Sequence, residues 1–264
     1  MSSLSYAVQD SATMLRRDIK HALRYPVMTI SGMMVPVVLL LLFVGVFGNA
    51  LRTGLGIPAS AGGSQYINYL SPGIILMTAG CAAAATAVNV CTDMNEGIIP
   101  RFRTMAITRA SVLTGQVLGS TIRTLISAAM VVAVAFALGF RPNAGPVKWL
   151  LAIGVFMMLT FALTWLTVAF GLLAKTPGGA NSLSLLPEFL PFISSAFIPP
   201  ASMPQGVRWF AENEPFTPVI ETLRGLLMGT AIGDKAYLSI GWCVVIAVFG
   251  YFWARTLYNS SRSR

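Results

Sequence analysis

Residues 93–109 read DMNEGIIPRFRTMAITR, and they are the only strongly polar stretch enclosed between long apolar runs. The charged side chains of this stretch are Asp93, Glu96, Arg101, Arg103 and Arg109. The flanking runs, at about 69–92 and 111–140, are each long enough to cross a bilayer, since about 20 apolar residues span its hydrocarbon core. The order of apolar, polar and apolar segments therefore predicts two membrane spans joined by a short polar connection.

The composition of the whole chain places it in the membrane class. Of its 264 residues 55% are hydrophobic and 10% are charged, and the mean hydropathy is +0.72. A soluble domain carries about 25% charged residues, so this chain has too few charges to solvate a surface of that size. The net charge of +9 raises the possibility of nucleic-acid binding. No basic face interleaved with aromatic residues is visible, so we expect no nucleic-acid partner.

Hydropathy predicts an all-α membrane protein with six transmembrane helices. The predicted spans are about 27–48, 69–92, 111–140, 147–174, 182–200 and 237–258. A tight polar turn is expected at 176–181, and prolines at 187, 191, 199 and 200 argue against one smooth helix in the fifth run. Residues 201–234 contain apolar positions at helical spacing in runs too short to span, which predicts short re-entrant helices. Within them Glu221 and Arg224 are three residues apart, a spacing at which they are able to pair.

The distribution of lysine and arginine predicts the orientation. Residues 1–26 are amphipathic and predict an interfacial helix, residues 27–258 form the transmembrane domain, and residues 259–264 form a tail. Six spans put both termini and residues 93–109 on one side, and that side carries twelve of the 18 basic residues. Basic residues concentrate on the cytoplasmic side of membrane proteins. Both termini and the 93–109 connection are therefore predicted to be cytoplasmic.

The sequence carries no motif for catalysis or metal binding. It has no GxxxxGK[ST] phosphate loop, no HExxH and no GxSxG, and its one histidine and three cysteines are scattered. We therefore predict a non-catalytic chain with no metal site, whose energy comes from an ion gradient or from another protein. Glu188 is an ionisable residue inside the fifth run, which makes it a functional candidate. A polar packing neighbour or a water-filled cavity explains it equally well.

Two motifs carry a family resemblance: EGIIPRFRTMAITR at 96–109, and SAFIPPASMP at 195–204 followed by EPFTPVIETLR at 214–224. They resemble motifs in the membrane subunit of ABC-2 type exporters, specifically the daunorubicin/doxorubicin-resistance class of drug-efflux permeases. The first is similar to the acidic–Gly–Arg-Phe-Arg segment between spans two and three of that family, and the second is similar to its motif before the last span. The chain departs from the family pattern in three places. Ala106 stands where proline is common, Glu214 replaces the usual asparagine before Pro215, and Glu188 lies where the family is mostly apolar.

The resemblance implies a permease dimer in the bacterial plasma membrane, with an identical or paralogous second subunit and two separately encoded cytoplasmic ATPases. ATP and magnesium would bind those ATPases, and this chain would hold no cofactor. The expected substrates are amphipathic drugs, lipids or polyketide-like metabolites. The residues expected to couple to the ATPase are Asp93, Glu96, Gly97, Arg101, Phe102, Arg103 and Arg109. The residues expected to line the substrate path are Glu188, Phe189, Phe192 and Phe197, and those of an extracellular gate are Pro215, Phe216, Glu221 and Arg224.

Two other functional classes remain open on the sequence. One is a proton-coupled secondary drug transporter that uses Glu188 and needs no ATPase. The other is a membrane scaffold that transports nothing.

Overall fold

The computed structural model describes residues 26–46, 64–96 and 109–260, with side chains described over 34–46, 66–96 and 113–259. Across these residues the chain forms eight α-helices and one 3₁₀ turn, without strands. The helices are α1 (Pro26–Gly45), α2 (Ser64–Asn95), α3 (Arg109–Ala137), α4 (Pro146–Leu173), α5 (Pro177–Ile193), α6 (Gln205–Asn213), α7 (Phe216–Met228) and α8 (Lys235–Ser260). The all-α prediction is confirmed. Residues 1–25 of the predicted interfacial helix lie outside the described residues.

Helix α2 is the centre of the bundle. Helices α1, α3, α4, α5 and α7 all contact it, and 78% of its most apolar window is buried. Small side chains allow these close approaches: a methyl group added at Gly80 would lie 2.8 Å from the Pro187 carbonyl oxygen of α5. Gly171 of α4 approaches the Ala87 carbonyl in the same way. Small residues at helix contacts are how membrane helices pack without a hydrophobic driving force between them.

Helix α8 lies at the outside of the bundle. It contacts α4 and α7, and 17% of its apolar window is buried. Gly250 brings it against the α4 backbone, where an added methyl would lie 2.7 Å from the Leu166 nitrogen. Its outward face carries Val245, Phe249 and Phe252, whose side chains are all more than half exposed. Such a continuous apolar face requires lipid or protein to cover it.

Four helices among the described residues are long and apolar enough to cross a membrane. They comprise Tyr66–Asn95, Leu113–Ala137, Pro146–Leu173 and Lys235–Asn259. They correspond to the predicted second, third, fourth and sixth spans. The predicted first and fifth spans are also helical, but Met34–Gly45 is a shorter apolar segment and α5 has 17 residues. A multi-pass membrane protein is confirmed, and the six-span topology stays a prediction.

The predicted turn at 176–181 was wrong, and the break predicted for the fifth run comes only after Ile193. Instead of a tight turn at 176–181, helix α5 begins at Pro177, and the Thr176 hydroxyl caps it by accepting a hydrogen bond from the Gly179 N–H at 3.1 Å. Proline is favoured at the first position of a helix because its missing N–H is not needed there. Pro187 and Pro191 lie inside the helix, which continues through both to Ile193. Both prolines are buried against neighbouring helices, which accommodate such interruptions in membrane proteins.

The connection between α5 and α8 contains the short helices that the sequence predicts. A 3₁₀ turn (Pro200–Ser202) leads into α6, which is largely exposed, and then into α7, which is buried among α2, α4 and α8. Gly229 ends α7 in the left-handed conformation, with φ of 76°. The fold alone does not place α6 and α7 in a bilayer, so the re-entrance of these helices stays a prediction.

The alternating helices give the bundle two ends. The Ser195 end holds the start of α2, the end of α5 and helix α7, joined by hydrogen bonds among Tyr69, Ser195 and Arg224. The Asp93 end holds the end of α2, the start of α3 and the α4–α5 turn, joined through Asn95 and Lys175. The predicted functional residues that the structure describes fall at both ends and along α5 between them.

Candidate functional site

A hydrogen-bonded junction at the Ser195 end ties three helices together. The Arg224 guanidinium of α7 donates from Nη2 to the Ser195 carbonyl at 2.9 Å. It also donates to the Tyr69 carbonyl of α2, from Nη2 at 3.2 Å and from Nε at 3.3 Å, and its Cζ lies 3.8 Å from the centroid of the Tyr69 ring. The Tyr69 hydroxyl donates to the same Ser195 carbonyl at 3.0 Å. A planar guanidinium suits this position because it offers several donors in fixed directions.

Glu214 completes this junction from the start of α7. Its Oε1 accepts from the Thr217 N–H at 2.7 Å and from the Thr217 hydroxyl at 3.0 Å, while that hydroxyl accepts from the Ser195 N–H at 3.1 Å. Glu214 therefore caps α7, because the first N–H groups of a helix lack partners within it. The residue is 4% exposed, and its Oε2 has no hydrogen-bond partner within the described part of the chain. Burial raises the pKa of Glu214 to about 7.

Glu221 does not form the direct ion pair with Arg224 that their spacing allows. Glu221 instead forms an ion pair with Lys235 at the start of α8, at 3.3 Å. Arg224 turns to the Tyr69 and Ser195 carbonyls, which lie across a tertiary contact that sequence spacing does not reveal. Of the other two predicted gate residues, Phe216 is buried in the core and Pro215 precedes it at the helix start.

The three predicted substrate-lining phenylalanines form a continuous row. Phe189 and Phe192 have ring centroids 5.7 Å apart, and Phe192 stacks on Phe197 at 5.1 Å with an interplanar angle of 13°. Phe197 in turn contacts Phe43 of α1 at 4.6 Å. Phe189 is 54% exposed and Phe197 is buried, so the row runs from an exposed face of α5 into the bundle. It joins α5 to α1 near the Ser195 end.

Glu188, the fourth predicted lining residue, lies where α5 crosses the middle of α2. Its Oε1 is 3.8 Å from the Cys81 sulfur, which donates a weak hydrogen bond. The close approach comes from Gly80, since the α5 backbone at Pro187 occupies the space that a side chain would need. Glu188 is half-buried, and no Lys or Arg among the described residues forms an ion pair with it.

The described part of the predicted coupling segment lies at the Asp93 end. Asp93 is still within α2, and its Oδ2 accepts from Gln116 of α3 at 2.6 Å. Asn95 donates to the Lys175 carbonyl at 3.3 Å. Glu96 is exposed after the last turn of α2, and Arg109 is the first residue of α3. Gly97, Arg101, Phe102 and Arg103 lie outside the described residues.

Comparison with known proteins identifies the family. A family model described as ABC-2 type transporter matches residues 10–228. The chain belongs to the ABC-2 type transporter family.

Two relatives of this ABC-2 chain carry names from drug resistance. It is 26% identical over 260 residues to the daunorubicin resistance ABC transporter permease protein DrrB1 of Streptomyces coeruleorubidus, a match that covers 97% of this chain and 88% of the relative. It is 25% identical over 181 residues to the protein named probable doxorubicin resistance ABC transporter permease protein DrrC of Mycobacterium tuberculosis, covering 67% of this chain and 66% of the relative. These names agree with a membrane permease, and the resemblance inferred from the two motifs is confirmed.

Several residues of the Ser195 junction and of the phenylalanine row were not predicted from the sequence. Tyr69, Ser195 and Thr217 contribute to the Ser195 junction through hydroxyl and backbone groups, and Phe43 extends the aromatic row. The sequence signal that could have indicated this junction is Glu214, which replaces the asparagine usual in the family. A carboxylate at this position, like asparagine, accepts a hydrogen bond at a helix start. The structure shows it in that capping role. Within the described residues no group of three or more His, Cys, Asp or Glu side chains is placed to hold a metal ion.

Proposed function

We propose that this chain is the transmembrane subunit of an ATP-driven exporter of amphipathic drugs, lipids or polyketide-like metabolites, powered by a separate cytoplasmic ATPase. The observation that carries the proposal is the ABC-2 match over residues 10–228, together with relatives named as drug-resistance permeases. The sequence has no phosphate-binding loop of its own. ATP hydrolysis therefore belongs to the partner chain.

The proposed complex contains two permease subunits and two ATPases in the bacterial plasma membrane. The excess of Lys and Arg on the side of the Asp93 end supports a cytoplasmic location for that end and for both termini. A reporter protein fused after Gly63 tests this orientation. A reporter that is active only outside the cytoplasm is expected to be active there, and one active only in the cytoplasm is expected to be silent.

The segment 93–109 is proposed to receive the movement of the ATPase. Its proposed contact residues are Asp93, Glu96, Gly97, Arg101, Phe102, Arg103 and Arg109. The hydrogen bonds from Gln116 to Asp93 and from Asn95 to Lys175 support this role, since they tie the end of α2 to α3 and to the α4–α5 turn. A displacement at this end would move several helices together, as expected for a rigid-body transition between two access states.

The proposed substrate path follows the exposed face of α5, and the proposed outer gate is the Ser195 junction. Phe189, Phe192 and Phe197 offer aromatic surface suited to varied apolar ligands. Arg224 connects α7 to carbonyls of α2 and of the turn after α5. Separating these elements requires Arg224 to leave at least one of its two carbonyls, which gives the gate a defined closed state.

Reconstitution tests the proposed function. The permease is placed in proteoliposomes alone, with the ATPase encoded beside it, and with that ATPase carrying a disabled phosphate loop. We expect ATP-dependent movement of an amphipathic fluorescent substrate only with the intact ATPase. Equal transport by the permease alone under a proton gradient would instead support the secondary carrier. No substrate movement under any condition would leave only the scaffold.

The second candidate, a proton-coupled carrier, is favoured by one observation. Glu188 is an ionisable side chain on a membrane helix, without an ion-pair partner among the described residues. Proton carriers commonly use such groups. The ABC-2 match favours the exporter over this alternative.

A further inference from the structure

Glu188 occupies an electrostatically unbalanced position at the middle of the bundle. Cys81 stands at the midpoint of the span Tyr66–Asn95, and the Glu188 carboxylate lies 3.8 Å from its sulfur. A carboxylate at this depth is costly and usually has a charged or strongly polar partner. The thiol is a weak donor and does not neutralise the charge. Two ion pairs between described residues, Arg208 with Glu212 and Lys235 with Glu221, do not include Glu188.

Residues of both helices lie around Glu188 at the contact between α2 and α5. On α5, Leu185 and Phe192 lie one turn before and after Glu188 and share its side of the helix. On α2, Ala85 and Asn89 follow Cys81 at successive helical turns, and both are exposed. We call Cys81, Ala85, Asn89, Leu185, Glu188 and Phe192 the Glu188 cluster.

The two ends of this set of residues differ. Toward the Ser195 end Phe192 stacks on Phe197, and Phe197 contacts Phe43. Toward the Asp93 end the exposed Ala85 and Asn89 leave the α2 surface uncovered. A ligand can therefore approach from the Asp93 end with its apolar body along α5 and stop beneath the aromatic stack.

The chemistry of the Glu188 cluster matches one class of ligand. A carboxylate beside phenyl rings attracts an ammonium group, through charge-assisted hydrogen bonds and through the negative faces of the rings. Leu185 and the exposed ring of Phe189 offer apolar surface for the remainder of the molecule. A neutral or anionic amphiphile would leave the Glu188 charge uncompensated.

We propose that Glu188 is the counter-ion of a binding site for lipophilic cations, so that this permease prefers amphipathic amines among the compounds it exports. The proposal rests on the proposed exporter function and narrows its substrate class. It treats Glu188 as a specificity-determining residue, with the ammonium group taking the place of the missing cationic side chain.

A matched pair of probes tests the proposal by binding to the full-length permease in nanodiscs. Dansylcadaverine carries a primary ammonium group, and N-acetyl-dansylcadaverine has the same body without the charge. The wild type is expected to bind the amine more tightly. Glu188→Gln is expected to weaken binding of the amine by about tenfold, the usual scale of one hydrogen bond to a charged group, and to leave the acetylated probe unchanged. Glu212→Gln, which removes an exposed carboxylate on α6, is the control and should change neither.

Each other outcome overturns the proposal. If Glu188→Gln weakens binding of both probes equally, Glu188 has a structural role. If it leaves binding of the amine unchanged, Glu188 has no role in recognition. Failure of the wild type to prefer the amine, including failure to bind either probe because a second subunit covers the Glu188 cluster, would also contradict the proposal. The binding assay contains no ATPase, so its result is separate from the proposed function. If the amine binds as predicted but no ATP-driven transport occurs, the exporter function is refuted and the binding site stands. If transport is driven by a proton gradient and is lost in Glu188→Gln, Glu188 acts in a proton carrier and the cation site is refuted.

Discussion

The contact between α2 and α5 is set by Gly80, and adding one methyl group there measures how tightly the two helices pack. In Gly80→Ala the new carbon would lie 2.8 Å from the Pro187 carbonyl oxygen and 3.3 Å from the Glu188 Cα. Both are backbone atoms, so no side chain can rotate away to relieve the clash. The two helices must separate or slide.

Two opposing effects determine the size of the change. Alanine is a better helix former than glycine by about 1 kcal/mol, which stabilises the variant. Overpacking a well-filled contact costs about 1–3 kcal/mol, which destabilises it. Gly154→Ala in α4 separates the two effects, because nothing lies within 4 Å of the added methyl there. The difference between the two variants is therefore the packing cost alone.

The chain supplies its own probe for the measurement. Cys81, Cys91 and Cys243 all lie in described helices, where they are buried and unpaired, so a thiol-reactive dye reports unfolding. At roughly 2–4 °C per kcal/mol, Gly80→Ala should melt about 2–12 °C below Gly154→Ala in detergent.

Equal melting temperatures of the two variants would refute the packing of α5 on α2. A higher melting temperature for Gly80→Ala would do so more strongly, because it would mean that position 80 is as open as position 154. Either result would also remove the structural basis for placing Glu188 beside Cys81.

Two further predictions concern the Ser195 junction. The pKa of Glu214 is about 7 in the folded protein against a usual value of 4.5, so between these pH values the folded state keeps a proton that the unfolded state has lost. Stability should therefore fall as pH rises from 4.5 to 7, by up to about 3 kcal/mol, and Glu214→Gln, which keeps the acceptor for Thr217, should flatten this dependence. Arg224→Lys replaces a fork that donates to two carbonyls by a single ammonium group and should lower stability by about 2 kcal/mol. Thermal melting, across pH for the first and at fixed pH for the second, measures both.

Each of these predictions has its own control. The control for the first prediction is Glu212→Gln, which removes an exposed carboxylate of α6. This substitution should leave the melting profile across pH unaltered. An unchanged profile in Glu214→Gln would show that Glu214 is not the titrating group. Arg208→Lys, in an exposed pair with Glu212, should change stability by less than about 1 kcal/mol. A cost for Arg224→Lys that is no larger would contradict the junction.

The sequence predicts the long helices well, because about 20 consecutive apolar residues have few other uses. The boundaries of α2, α3, α4 and α8 lie within a few residues of the predicted spans. The two exporter motifs likewise led to the family, since each combines charged residues, glycine or proline in a fixed order.

Other features depend on contacts that no local pattern encodes. Proline and glycine at 177–179 read as a turn, but Thr176 capping and the tolerance of proline at a helix start make them the first turn of α5. The three-residue spacing allows Arg224 to pair with Glu221. Its guanidinium instead binds the carbonyls of Ser195 and Tyr69, which lie 29 and 155 residues away in sequence. The row of phenyl rings needed Phe43 from α1, which local spacing around α5 does not reveal.

The central claim is that a separate ATPase drives this permease through residues 93–109, and one charge reversal tests it most directly. Substrate-stimulated ATP hydrolysis is measured in proteoliposomes that contain the ATPase with the wild type, with Arg101→Glu, or with Arg208→Glu in the exposed helix α6 as a control. Arg101→Glu is expected to insert normally but to lose both stimulation and transport, since charged contacts set the fit between partners. Arg208→Glu should retain both. Stimulated hydrolysis and transport at wild-type rates in Arg101→Glu would contradict the claim.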